Sequence, residues 1–449
     1  MLKDELVPVT IDNNGTGKKA DLGSSWYRYE EKRWANAVVL KNEQEDYLAG
    51  ETIPEDNIES YFVWIPKYRY QLWDLGNYDS LTSIDTSKVH EIPIIFGDYD
   101  TSDSKEGECT TPMKSGESGN CKVGDYMTHP AFISIPSTGF WVGKFETGYD
   151  GATTKGEAEQ NVNDSSKVII KPNVYSWRNI QVANAFYTSY NYKRNLDSHM
   201  MKNTEWGAVA YLQHSKYGSS TGVRINNNSG LLTGYQANNE PTCGYTNTNE
   251  ECNKVCNDNS CNIAYPNSVL ASTTNNISGI FDMVGGVSEY LMSVMLDESS
   301  NPLSGRNSTL QSGFNGKFGC PTCDNDTSGL IELTNGYDWP EEKYYDQYLY
   351  SSSSLGHHEL YKNRILGDAT GEMGPYRLNA YQSSDASSIQ NREESSWYND
   401  NAGFLYLYHP FFRRGGVHHD GTNGGMFAFY QMNGGASLTT TFRIILTPV

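Results

Sequence analysis

Residues 411–430 read "FFRRGGVHHDGTNGGMFAFY". Two short aromatic strings enclose Arg413-Arg414, Gly415-Gly416, the triplet His418-His419-Asp420 and further glycines. Glycine at this density makes a turn-rich path, and the His, Asp, Thr and Asn side chains on it offer hydrogen-bond donors and acceptors. The rigid aromatic rings of "MFAFY" add contact area at low entropy cost. Such a segment is either a reaction centre or a binding surface, and the rest of the chain decides which.

The chain has 449 residues, enough to bury a sizeable core and to hold more than one structural module. Its 37% hydrophobic and 20% charged residues, with 32 Tyr, 9 Trp, 15 Phe and 42 Gly, mark an ordered protein with many loops. The formal net charge of -20 repels phosphate backbones and anionic membranes, so nucleic acid is not an expected partner. No run approaches the roughly 20 apolar residues of a membrane helix, so membrane insertion is not expected either. The opening "MLKDELVPVTIDNNG" lacks the basic start and apolar core of a secretion signal. The expectation is a protein that stays where it is made or leaves within a particle released by lysis.

Eight cysteines fall in local groups: Cys109 and Cys121; Cys243, Cys252, Cys256 and Cys261; Cys320 and Cys323. Short separations suit disulfides within surface loops. Zinc is the rival, but the middle group lacks the paired C-x2-C knuckles of a structural site. The triplet His418-His419-Asp420 is a poor transition-metal site, because neighbours on an extended chain point to opposite faces. A metal set is therefore unassigned and no cofactor is expected. The acidic loops hold oxygen donors for a structural calcium, although no twelve-residue calcium loop is present.

"YFVWIPKYRYQLW" from Tyr61 alternates at period two and reads as a strand with one buried face, with Pro66 placing it at a sheet edge or splitting it. "GFWVGKFETGYD" from Gly139 reads as a second strand. Trp177, Ile180, Ala183 and Tyr187 recur at helical spacing and predict one amphipathic helix. Thr204, Ala208, Tyr211 and Leu212 predict a second, capped at Asn203 or Thr204 and stopped at Gly218. "NNISGIFDMVGGVSEYLM", 275–292, reads as core, and "TTTFRIILTPV" closes the chain as a strand with Phe442, Ile444 and Leu446 on one face. The pattern predicts an α+β fold with antiparallel strands, two covering helices and long loop insertions at about 98–128, 219–276 and 296–360. Residues 1–60 read as a small, mainly β attachment or accessory segment, and 61–449 as the main domain.

Taken in order, these strings resemble the formylglycine-generating, sulfatase-modifying family with its C-type-lectin-like fold. Lys144, Phe145 and Glu146 stand where that family has Lys-x-Glu. Thr204, Glu205 and Trp206 match the second-helix pattern, with Gly207 in place of its glutamate. Gly279, Ile280, Asp282, Met283, Gly285, Val287 and Glu289 match the central motif, in which Gly286, Ser288 and Tyr290 are departures. Arg414, Gly415 and Gly416 fit its Arg-Gly-Gly, and Phe442 with Arg443 its closing Phe-Arg. The resemblance implies a scaffold role for Glu146, Trp206, Asp282, Glu289, Arg414, Gly415, Gly416, Phe442 and Arg443.

Oxidising members need a reactive cysteine after Arg-Gly-Gly, and none occurs between Val417 and Arg443. Histidine and aspartate do not replace thiolate chemistry. The resemblance then points to the non-catalytic branch, the retroelement-diversified variable proteins of phage tails and bacterial surfaces. It implies ligand or receptor recognition through Val417, His418, His419, Asp420, Thr422, Asn423, Phe427, Phe429, Gln431 and Asn433. Its partner would be a host or cell-surface protein or glycan, met by an oligomer, a trimer by context, within a larger assembly on a virion or extracellular surface. The alternative is a sulfatase-modifying-type oxidoreductase, or another enzyme, with an unconventional centre. Of the recognition residues, Phe427 and Phe429 are placed equally well in the core by strand alternation. A hydrolase reading finds no G-x-S-x-G elbow or H-E-x-x-H helix, and adjacent acids such as Glu341 and Glu342 are uninformative in a chain with 54 of them. The glycine pairs lack the context of a phosphate loop.

Overall fold

The computed structural model describes residues 2–24, 26–42, 45–72, 91–97, 124–220, 222–237, 262–305, 311–318, 331–350, 365–370, 400–401, 403–421 and 424–448. All eight cysteines, and with them the disulfide and zinc expectations, lie outside these residues, as do Thr422 and Asn423.

Seven antiparallel strands form the larger sheet, in the order His199–Met200, Ile444–Leu446, Gly139–Gly143, Ile58–Pro66, Asn36–Leu40, Val7–Ile11 and Gly17–Lys19. The strand Ile58–Pro66 spans residue 60, so the N-terminal strands continue the sheet of the main domain. It is also central rather than at the edge, held between Asn36–Leu40 and Gly139–Gly143. Pro66 is tolerated because it is the last residue of the strand, and the chain resumes as a separate strand at Tyr68–Gln71.

Both faces of this sheet are covered, which corrects the one-sided burial expected from the alternation. Phe62 and Trp64 pack with Trp141, Ile444 and Leu446 in one core, while Val63 and Ile65 pack with Phe140, Val142 and Ile445 in another. Period two thus sorts side chains between two apolar layers rather than between core and water.

The first helix is Val182–Tyr192 and begins later than the periodicity predicts. Asn179 takes a left-handed conformation at φ 57°, which ends any helix through Trp177 and Ile180 and leaves both as buried loop residues. Asn161 Oδ1 then accepts from Gln181 N at 3.0 Å and serves the helix start from outside. The second helix is Asn203–Gln213, with Lys202 at its cap, where Lys202 N donates to Glu205 Oε2 at 2.8 Å. It ends before Gly218, and all eleven of its residues are buried, so the predicted amphipathic face is only part of its packing surface.

One close neighbour accounts for part of this. The 365–370 segment lies so close that a Cβ at Gly207 would stand 1.9 Å from Gly367 O. Only glycine fits there unless that segment moves.

The smaller sheet holds Asp346–Leu349, Ser288–Leu296, Phe411–Gly415 and Gly425–Met432 in that order, with Thr440–Phe442 also paired to Ser288–Leu296. Two of its pairings, those of Ser288–Leu296 with Asp346–Leu349 and with Thr440–Phe442, are parallel, so the sheet is mixed rather than antiparallel throughout. The 275–292 string is core, as its composition predicts: Ile280, Phe281, Met283, Tyr290 and Leu291 are fully buried. No helix among the described residues is long and apolar enough to cross a membrane.

The closing strand is split. Thr440–Phe442 belongs to the smaller sheet and Ile444–Leu446 to the larger, and the chain crosses between them at Arg443. Phe442, Ile444 and Leu446 nevertheless share one core, as their spacing predicts.

Candidate functional site

Strands Phe411–Gly415 and Gly425–Met432 form an antiparallel pair that closes at Gly415 opposite Gly425. The intervening segment leaves through Gly416 at φ 81°, where a Cβ would stand 2.8 Å from Gly424 Cα. A side chain there would meet both strain and a backbone clash, so glycine closes the mouth of the turn.

Beyond it, Asp420 organises the backbone. Asp420 Oδ2 accepts from Val417 N at 2.9 Å and from the Tyr430 hydroxyl at 3.2 Å, while Asp420 N donates to Val417 O at 2.9 Å. His418 N donates to Gly286 O at 3.0 Å, fixing the turn to the central string. With the backbone held in this way, His419 is exposed and His418 half-buried. Their rings meet edge to face at 4.6 Å. Partial burial, with His419 beside it, pushes the His418 imidazole down to about 4, so it is neutral near pH 7.

The residues grouped by sequence as one surface separate here. His418, His419, Asp420, Gln431 and Asn433 are at least partly exposed. Val417, Phe427 and Phe429 are buried: Phe427 packs beside the second helix, and Phe429 packs with Phe412 and Phe404 in a separate apolar cluster. Met426, Ala428 and Tyr430, which alternation turns to the face opposite the two phenylalanines, are buried too. Covering material lies on both faces of this strand, so alternation does not expose half of it. Each buried phenylalanine stabilises the frame by about 1.5–3 kcal/mol.

Arg413 was missed. Strand alternation sends Arg414 inward and leaves Arg413 half-buried beside the turn. Its guanidinium lies 4.9 Å over the Tyr430 ring and donates to Ser288 Oγ at 3.5 Å. Two arginines in succession on a strand are the signal that could have found it.

Below the turn the frame is charged and buried. Arg414 Nε donates to Asn203 Oδ1 at 2.9 Å and its Nη1 to Ala369 O at 3.1 Å. Burial pushes its guanidinium down to about 10, which leaves it charged at neutral pH. Trp206 Nε1 donates to Met426 O at 2.7 Å, tying the second helix to the hairpin.

Arg443 donates to Glu289, to Gly143 O at 2.7 Å and to Phe281 O at 3.1 Å. Against the desolvation that burial imposes, Glu289 holds Arg443 above the usual arginine range, so the pair is ionic. Glu146 accepts from Val287 N at 2.9 Å and from the Ser176 hydroxyl. Burial raises its carboxyl, and the carboxylates of Asp282 and Glu289 raise it further. Asp282 accepts from Gly234 N and Asn226 Nδ2, each at 2.9 Å, and burial pushes it up to about 6. Glu146, Asp282 and Glu289 are buried and take their hydrogen bonds from backbone and side-chain donors within the protein.

Among the described residues no group of three or more His, Cys, Asp or Glu side chains is placed to hold a metal ion. The chain matches no model of a known protein family and no curated protein sequence.

Proposed function

We propose that the chain is a non-enzymatic recognition protein whose ligand contacts are made by the 416–424 turn together with Gln431 and Asn433. The observation that supports this most directly is the division of labour within the turn. Backbone amides and Asp420 hold its shape through bonds to Val417, Tyr430 and Gly286, while His419 is exposed and His418 half-buried. A loop held in one shape by its own hydrogen bonds meets a partner at low entropic cost. The sequence supports the non-catalytic reading, because no cysteine lies between Val417 and Arg443 to carry thiolate oxidation.

The ligand on this reading is a protein or glycan of a host or cell surface. The chain acts as an oligomer in a larger assembly, such as a phage tail or an adhesin, where weak sites gain avidity. Its formal charge of -20 suits such an exposed role by limiting non-specific association.

The test is binding of labelled protein to a panel of intact bacterial cells and their isolated envelopes. We expect saturable binding to at least one envelope and a loss of roughly ten-fold or more in a His418→Ala/His419→Ala variant. The folded state of the variant is checked by its melting temperature, because His418 is half-buried while His419 is exposed. Binding that survives the double substitution removes the turn from the contact surface. Peptide oxidation that disappears when a cysteine is replaced would favour the enzyme instead.

A further inference from the structure

A second site lies on the N-terminal half of the larger sheet. A cavity of about 590 Å³ opens between the strand Val7–Ile11, the 26–36 segment and the 266–278 loop, and no residue of the 411–433 segment lines it. The size is ordinary for a small-molecule site, roughly 300–1,000 Å³.

Its walls are fixed before any ligand arrives. Trp34 donates from N to Ser278 Oγ at 3.0 Å and from Nε1 to Tyr217 O at 2.8 Å. Asn36 Nδ2 donates to Ser278 O at 2.8 Å, and Asn36 Oδ1 accepts from the buried Lys144 Nζ at 2.8 Å. Trp26 Nε1 donates to Val9 O at 3.0 Å. These groups have their hydrogen bonds within the protein, and the cavity wall mixes polar and apolar surface in about equal measure, with Val9, Trp26, Trp34 and Ile277 supplying carbon.

The rim differs. Asn13 and Asn267 are exposed, and neither side-chain amide bonds to the protein. Arg33 Nε is buried without an acceptor, although its Nη2 lies 3.6 Å from Glu31 Oε2.

We infer that this cavity binds a neutral saccharide through Asn13, Asn267 and Arg33, over a floor made by Val9, Trp26, Trp34 and Ile277. An asparagine amide both donates and accepts, as a hydroxyl does, so the two amides suit a ligand carrying hydroxyls. The C–H face of a sugar ring suits the carbon floor. A purely apolar ligand would bury the rim amides without partners, at a cost of about 1–3 kcal/mol each. An anion would have to displace Glu31 from Arg33, and it would approach a chain of net charge -20.

The probes are tetrasaccharides of glucose, mannose and N-acetylglucosamine, followed by saturation-transfer NMR and calorimetry on the full chain. We expect at least one to bind, with Asn13→Ala/Asn267→Ala weakening it roughly ten-fold and Arg33→Met weakening it as well. Both asparagines are exposed, so the folded state of the variant is checked by its melting temperature. Salt between about 0.05 and 0.5 M should change the affinity less than two-fold, because the ligand carries no charge for Arg33 to attract. The inference is overturned if none of the three binds, if the double variant keeps its affinity, or if a sulfated tetrasaccharide binds with strong salt dependence. It is equally overturned if an uncharged peptide occupies the cavity more tightly than any saccharide. The His418→Ala/His419→Ala variant should bind the saccharide as the wild type does, which separates this site from the turn.

Discussion

Arg443 Nε donates to Glu289 Oε2 at 2.9 Å where neither side chain reaches solvent, at 0% and 1% exposure, and this pair joins the two sheets. Glu289 belongs to the smaller sheet, while Arg443 stands where the chain passes from that sheet into the larger one. The same guanidinium bonds Gly143 O on the larger sheet and Phe281 O in the central string. Removing one partner strands a buried charge. Arg443→Met should therefore destabilise the protein by about 3–5 kcal/mol in urea unfolding. Replacing both charges, Arg443→Met with Glu289→Leu, should cost clearly less than the two single losses added together. Additive losses would show that the charges do not depend on each other.

Gly207 offers a test in which helix propensity and packing oppose each other. Alanine is favoured over glycine inside a helix by about 1 kcal/mol. At this position its Cβ would stand 1.9 Å from Gly367 O, so the 365–370 segment would have to move. That segment also supplies the carbonyls of Asp368 and Ala369 to Arg414. Gly207→Ala should thus lose about 1–3 kcal/mol in thermal or denaturant unfolding. A stabilised variant would mean that the contact yields easily.

Asp282 gives a pH dependence of defined sign. Its folded-state value is raised from 3.8 to about 6 by burial. Between those values the folded protein holds a proton that the unfolded chain has released. The contribution of this group is therefore fully present below the unfolded value and is lost as pH rises to about 6. The stability difference between wild type and Asp282→Asn should decline across that window by up to about 1.4 kcal/mol per pH unit. Asp346 is raised to about 6 in the same way, so the wild-type slope alone is not diagnostic and the difference between the two proteins is the quantity to measure. A constant difference from pH 4 to 6 would mean that Asp282 titrates normally.

Local pattern carried the core and missed what depends on distant contacts. Phe442, Ile444 and Leu446 share a core because spacing of two places them on one side, whichever sheet each joins. The spacing is silent about which carboxylate Arg443 meets at the change of sheet: it is Glu289, 154 positions away in sequence. The second helix showed one apolar face, yet Asp346 and the 365–370 segment bury its polar residues as well: Thr204 N donates to Asp346 Oδ2 at 2.7 Å. The late start of the first helix rests on one left-handed residue, Asn179, which no apolar periodicity registers. In the hairpin, alternation placed Phe427 and Phe429 together but could not reveal that both faces of their strand are covered.

The turn itself should respond to its organising carboxylate. Asp420 accepts from Val417 N and the Tyr430 hydroxyl, and hydrogen bonds to a charged group contribute about 1.5–3 kcal/mol. Asp420→Ala should reduce envelope binding as strongly as loss of the histidines, while the seven-stranded sheet keeps its protection against amide exchange. A variant that binds normally would show that the turn holds its shape without this residue.

His418 supplies the most direct check on how the turn sits. Partial burial is the main cause of its fall to about 4, His419 adds to the fall, and Asp420 opposes it. NMR titration of the His418 ring should give a midpoint near 4 rather than the 6.5 of a free imidazole. Because the folded value is depressed, the contribution of His418 to stability is present above 6.5 and is lost as pH falls toward 4. Replacing the neighbour, His419→Ala, removes one cause and should move the midpoint upward, with burial still keeping it below 6.5. A wild-type midpoint at 6.5 would place the ring in open water, and the turn would then not rest against Gly286 as described.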